Sequence, residues 1–183
     1  MKKQTFDMNI TNDFKVLTMT QPDVENGTGC RVTVWCAGCT RHCPGCHNKH
    51  TWAYDQGKPI EDPVIKERIY EAVSKDYIQG ITLSGGDPLD QSYSALQELY
   101  MFITEFKRDF PEKDIWVYSG GIFEELVKTP IIRKILSKCD VLVDGPFVKD
   151  LYDPDLAFRG SSNQRIIYLK NPMIHCQLTG IAE

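Results

Sequence analysis

"RVTVWCAGCTRHCPGCHNK", residues 31–49, runs a β-branched apolar stretch directly into four cysteines. The stretch 31–35 reads as a strand, and the cysteines fall in the loop that follows it. Two overlapping readings compete for Cys36, Cys39, Cys43 and Cys46. In one, the C-x2-C clips Cys36/Cys39 and Cys43/Cys46 close on a single tetrahedral metal ion. In the other, Cys39, Cys43 and Cys46 form C-x3-C-x2-C and Cys36 is a bystander. The first is a closed structural site. The second leaves one metal position without a protein ligand, and an open position is where chemistry takes place.

Spacing separates these readings. Zinc ribbons place about 15 to 20 residues between two C-x2-C clips; only Thr40, Arg41 and His42 stand between them here. A bridge that short hardly lets both clips wrap one ion. A bacterial ferredoxin run, C-x2-C-x2-C-x3-C-P, would need a cysteine where Thr33 stands. A thioredoxin-type C-x-x-C leaves the other cysteines unexplained. Three thiolates on a [4Fe–4S] cluster would leave the fourth iron free for a small molecule binding through nitrogen and oxygen.

Outward from the cysteines, strand and helix patterns alternate. Residues 62–77 carry Val64, Ile65, Ile69 and Val73 at helical spacing, with Asp62 as N-cap and Pro63 at the first helical position. "GITLSGG" (80–86), "DIWVYSGG" (114–121), "CDVLVDGPF" (139–147) and "QRIIYL" (164–169) read as strands. Residues 92–110 and 122–138 read as helices, the second broken at Pro130. Such alternation predicts βαβ units and an α/β fold with a mostly parallel sheet. A closed eight-unit barrel takes about 250 residues. With 183 residues and about five or six strands, a partial, open barrel or curved sheet is expected. The cysteine loop, "SGGDP", "YSGG" and "DGPF" each follow a strand, so they should meet at one rim, where parallel sheets collect ligands.

Composition narrows the function. The chain is 42% apolar and 25% charged, with a formal net charge of -4, which argues against nucleic-acid binding through a broad basic surface. No apolar run is long enough for a membrane span, and "MKKQTFDMNITNDFK" lacks the apolar core of a signal peptide, so a cytoplasmic protein is expected. Seven cysteines in such a setting suggest metal or redox chemistry rather than disulfides, with Cys30, Cys139 and Cys176 as small buried hydrophobes.

"NGTGCRVTVWCAGCTRHCPGCHNKHTW" (26–52), "GITLSGGDPL" (80–89), "KDIWVYSG" (113–120), "VLVDGPF" (141–147) and "FRGSSNQRII" (158–167) together resemble the activating proteins of anaerobic (class III) ribonucleotide reductase, in the radical S-adenosylmethionine (SAM) superfamily. The resemblance implies one radical SAM domain over residues 1–183, a partial (β/α) barrel whose motif-bearing part is about 26–170. It implies Cys39, Cys43 and Cys46 as ligands of three irons of a [4Fe–4S] cluster, with the SAM amine and carboxylate on the fourth. It assigns cofactor contacts to Gly45, Cys46, His47, Gly85, Gly86, Asp87, Ser119 and Asp144, and calls for no conventional acid, base or nucleophile. Asp87 would help hold the SAM amino group. For Ser119 and Asp144 a local turn or cap role stands beside the SAM contact. Asn48 and Lys49 could touch adenine or close the loop. Gly45 suits the narrower family, while His47 replaces a usual tyrosine and Cys36 a usual small or apolar residue. The implied reaction is reductive cleavage of SAM to methionine and a 5′-deoxyadenosyl radical, which abstracts hydrogen from a C-terminal glycine of the reductase's large subunit. A low-potential donor such as flavodoxin is implied, and neither nucleic acid nor membrane is involved. The alternatives are an activase of another glycyl-radical enzyme, another small radical SAM enzyme, or a structural zinc module.

Overall fold

The backbone of the fold is one seven-stranded sheet of order β3-β1-β2-β4-β5-β6-β7. A computed structural model describes residues 12–179; most of the N-terminal stretch read above as lacking a signal peptide lies outside the described residues. The strands are β1 (Lys15–Asp23), β2 (Arg31–Cys36), β3 (Lys58–Pro59), β4 (Gly80–Gly85), β5 (Asp114–Tyr118), β6 (Val141–Asp144) and β7 (Arg165–Tyr168). The helices are α1 (Pro63–Val73), α2 (Tyr93–Asp109), α3 (Phe123–Leu126), α4 (Pro130–Lys138) and α5 (Pro172–Thr179). Among the described residues, no helix is long and apolar enough to cross a membrane.

The middle of the sheet follows the expectation. Strands β2, β4, β5 and β6 are parallel neighbours, and α1, α2 and α4 occupy the crossovers between them. Helices α1 and α2 begin where their local chemistry dictates. Asp62 accepts from the amides of Val64 (3.0 Å) and Ile65 (3.3 Å) with Pro63 in the first turn, and Ser92 accepts from Ala95 at 3.2 Å. Pro130 divides the third helical stretch into α3 and α4. The faces turned inward, such as Leu96, Leu99, Phe102, Ile103 and Phe106 of α2, form the core against the strands. Full burial of one such side chain contributes about 1.5–3 kcal/mol.

The margins differ from the expectation. The stretch 31–35 begins the second strand, because β1 precedes it, pairing antiparallel with both β2 and β3. Most of β1 is exposed or half-buried, so it lacks the continuous apolar signature of the central strands. Strand β7 lies antiparallel to β6. The result is a mixed α/β sheet, parallel in its middle, with β3 and β7 at opposite edges. Helix α5, in the tail to which the sequence assigned no role, packs on α4 and buries Leu178.

One buried cation ties the central strands to the turn that precedes β2. Arg31 is fully buried and donates to Thr82 Oγ1 (2.8 Å), Ile81 O (2.7 Å) and Thr28 O (3.1 Å). It pairs with Asp114 at 2.6 Å and lies 5.3 Å from the Trp116 ring centroid. Arg31 therefore has a structural role, holding the turn before β2 through Thr28 O. Arg31→Ala should destabilise the fold by about 3 kcal/mol, seen as a lower urea midpoint with an unchanged slope.

Candidate cofactor site

Register brings the cysteine loop to the glycine-rich loop. Cys36 at the end of β2 pairs with Gly85 at the end of β4. The loop is then closed on itself: Gly38 N donates to Thr51 O (2.8 Å) and Cys39 N to Trp52 O (3.1 Å). Gly45 reverses the chain just before Cys46 at φ +81, a region that favours glycine. His42 also has positive φ, +45, and its ring stacks on Trp52 at 4.5 Å. A short 3-10 turn at Lys49–Thr51 completes the loop.

The "SGGDP" loop is stapled to this segment through backbone atoms. Gly86 N donates to Cys36 O (2.9 Å) and Asp87 N to Gly38 O (2.8 Å). A Cβ at Gly86 would lie 2.2 Å from Gly38 O, so the approach requires glycine. Gln91 Nε2 reaches Ala37 O (3.0 Å) and Asp87 O (2.9 Å). Thr40 donates to Asp90 through its amide (2.7 Å) and its hydroxyl (2.6 Å).

Asp87 is the node of the rim. Its side chain is 2% exposed in its pair with Arg41. Oδ2 accepts from Arg41 Nε (2.9 Å), Ser119 Oγ (3.1 Å) and Gly120 N (2.9 Å), and Oδ1 from Leu89 N (3.0 Å). Ser119 Oγ in turn accepts from Gly121 N at 3.0 Å. Arg41 lies across Gly120, where an added Cβ would stand 2.3 Å from Arg41 Cδ. Three loops, following β2, β4 and β5, thus meet on one carboxylate.

These loops wall a cavity of about 510 Å³ that Cys39, Cys43 and Cys46 all line. Gly85, Gly86, Asp87, Ser119 and His47 line it too. His47 stands near Phe147 (5.6 Å) and edge-on to Tyr152 (5.7 Å). Burial pushes the Cys39 thiol up to about 11, with the Asp87 and Asp90 charges adding to the rise. Cys46 Sγ accepts from Asn48 N at 3.4 Å. Among the described residues, no three His, Cys, Asp or Glu side chains are already drawn into a metal-holding group. The three cysteines line one cavity without being gathered to a point.

The remaining residues singled out in the sequence divide among core, loop and cavity. Cys36 is 1% exposed, belongs to the core, and is not part of the cavity wall. Burial holds its thiol well above the ordinary range. Gly45 shapes the loop behind the wall, close to Lys149 and Phe147. Asp144 is fully buried with both oxygens engaged: Oδ1 accepts from Arg165 Nε (2.9 Å), and Oδ2 from Phe123 N (2.7 Å) and Arg165. Its neighbour Gly145 lines the cavity instead. Asn48 lines the cavity, whereas Lys49 serves the loop-closing turn. Sequence reasoning missed Arg41, Asp90 and Gln91; a cation set between the loop cysteines, with an acid in the facing loop, was the available signal for the first.

The burial contrast across the Arg41–Asp87 pair sets its energetics. Asp87→Ala leaves a backbone amide pair, a hydroxyl and a guanidinium without their acceptor, and should destabilise the protein by about 3 kcal/mol. Arg41 is a third exposed, so Arg41→Ala should cost about 1 kcal/mol. Paired guanidinium chloride titrations measure both, and equal losses would contradict Asp87 as the node.

Comparison with known proteins gives the family. Residues 25–167 match the family described as a 4Fe-4S single cluster domain. The chain is 41% identical over 148 residues to the anaerobic ribonucleoside-triphosphate reductase-activating protein of Pasteurella multocida, covering 80% of this chain and 91% of that one. It is 39% identical over 152 residues to the protein of the same name from Escherichia coli K12, covering 81% and 94%. The counterpart from Enterobacteria phage T4 is 39% identical over 144 residues, covering 79% and 87%. A cysteine loop whose thiols open onto a cavity at the carboxyl ends of parallel strands, and likeness over four-fifths of the chain, lead to one statement: this chain belongs to the anaerobic ribonucleoside-triphosphate reductase-activating protein family.

Proposed function

We propose that this chain is a radical SAM activase that installs a glycyl radical on the large subunit of anaerobic ribonucleotide reductase. The observation that carries the proposal is the one cavity that Cys39, Cys43 and Cys46 line together with residues of the "SGGDP" and "YSGG" loops. Three soft thiolates suit an iron–sulfur cluster, and the cavity volume falls in the range of small-molecule sites. When bound, a [4Fe–4S] cluster with SAM supplies reductive cleavage of the sulfonium to methionine and a 5′-deoxyadenosyl radical, which takes hydrogen from a glycine Cα near the C-terminus of the reductase.

The chain's own residues prepare that chemistry. Cys39, Cys43 and Cys46 would hold three irons, and the Asn48 amide on Cys46 Sγ would moderate the charge on sulfur. Ligation requires Cys39 to shed a proton that its burial retains, so cluster assembly releases protons. Gly85 and Gly86 expose backbone to the amino-acid end of SAM. Asp87 and Ser119 act there through the loops they fix, since Asp87 already accepts four hydrogen bonds. His47, with Phe147 and Tyr152 beside it, offers an aromatic surface for adenine. Gly45 sets the loop, and Asp144 holds Arg165 and the start of α3.

The finer architecture follows the same reading: one radical SAM domain built on a partial barrel, open between the β3 and β7 edges so that a protein segment can enter from the side. A cytoplasmic setting and a low-potential donor such as flavodoxin belong to this proposal, with neither nucleic acid nor membrane as partner.

Two measurements test it. Alanine at Cys39, Cys43 or Cys46 should abolish SAM cleavage and lower bound iron in anaerobically reconstituted protein. Cys36→Ala should retain both, because its thiol is in the core rather than the cavity. Mixed anaerobically with the reductase large subunit, SAM and a low-potential reductant, the loaded protein should yield a glycyl-radical doublet in electron paramagnetic resonance. Absence of that signal with SAM cleavage confirmed would redirect the activity to another target, and one colourless zinc per chain would reject the cluster.

A further inference from the structure

We propose that Arg159 is the receptor for a carboxylate that enters the cavity. Arg159 lines the same cavity as the three cysteines. A guanidinium carries five N–H donors. Here Nη1 donates to Gln164 O at 3.3 Å, while Nε is buried without a partner. Arg41, the other arginine of the wall, is paired with Asp87 at 2.9 Å. No ion pair is found for Arg159 among the described residues. A partly buried guanidinium with a shielded, unused donor favours a planar anion that accepts two parallel hydrogen bonds.

The segment around it is built rather than loose. Phe158, immediately before Arg159, has φ +57, a conformation costly for a bulky residue. It is held there by Tyr118 OH, which donates to Phe158 O at 3.0 Å, and by edge-on packing against Trp116 at 5.4 Å. Beyond it, Gln164 Oε1 accepts from Gly160 N (2.9 Å) and Ser161 N (3.1 Å), while its Nε2 donates to Gly145 O (3.0 Å). Side chains of β5 and the loop after β6 therefore fix the backbone on both sides of Arg159.

The inference rests on the cavity being the cofactor and substrate site. The carboxylate has two sources there, the amino-acid end of SAM or an acidic or terminal carboxylate of the reductase segment. Binding of SAM and of 5′-methylthioadenosine, which keeps the thioadenosine and lacks the carboxylate, is measured on anaerobically iron-loaded full-length wild type, Arg159→Gln and Arg159→Lys, alongside KM for the reductase subunit. If the cofactor supplies the anion, Arg159→Gln weakens SAM by about 10- to 100-fold, Arg159→Lys by less, and 5′-methylthioadenosine is unaffected. If the reductase supplies it, SAM affinity holds while KM rises by a similar factor at unchanged kcat. The proposal is overturned if neither quantity moves, or if 5′-methylthioadenosine weakens together with SAM. Arg159→Lys carries the comparison should the glutamine variant melt early. Wild type that holds its cluster yet binds no SAM would reject the cofactor reading, leaving Arg159 to be judged on the reductase measurement.

Discussion

The buried carboxylate of Asp87 is where the rim of this sheet is joined. It accepts a guanidinium from the cysteine loop, a hydroxyl and an amide from the loop after β5, and an amide from its own loop. A carboxylate so deeply buried is tolerable only with its lone pairs satisfied. Each of its donors is therefore held to a narrow position, and the cavity wall takes its shape from that requirement. The glycines beside it follow: Gly86 because the cysteine-loop backbone passes at contact distance, and Gly120 because Arg41 lies over it.

A second buried polar group does comparable work lower in the sheet. Arg31 joins β2, β4 and β5 to the preceding turn through three hydrogen bonds and an ion pair. Both Arg31 and Asp87 act across the parallel block, the part of the sheet whose strand ends face the cavity. The antiparallel margins are tied differently, with Asp144 and Glu124 both binding Arg165 of β7. The two acids hold that guanidinium charged well above its ordinary range, Asp144 contributing most.

Much of the fold was legible because its signals are local. Asp62 before Pro63, Ser92 before α2, the proline at 130 and the apolar runs of β4, β5 and β6 each state their element within a few residues. Strand β1 was not legible, since its polar, half-exposed residues become a strand only by pairing with β2 and β3. The direction of β7 was equally hidden, because an apolar run does not say which way it lies beside its neighbour.

For the site, the spacing of Cys39, Cys43 and Cys46 within eight residues of one loop sufficed from sequence to propose three thiols and an open position. The recurrence of glycine at strand ends indicated which loops would converge. Cys36, read from the sequence as a bystander, does sit in the core, but only tertiary structure decided that Asp144 is consumed by Arg165 and that Arg41 and Arg159 line the cavity. The physical reason is range. Strand, cap and ligand spacings are set by covalent geometry over a few residues, whereas the partner of a buried charge is chosen among groups tens of residues away, and chain folding alone brings them within hydrogen-bonding distance.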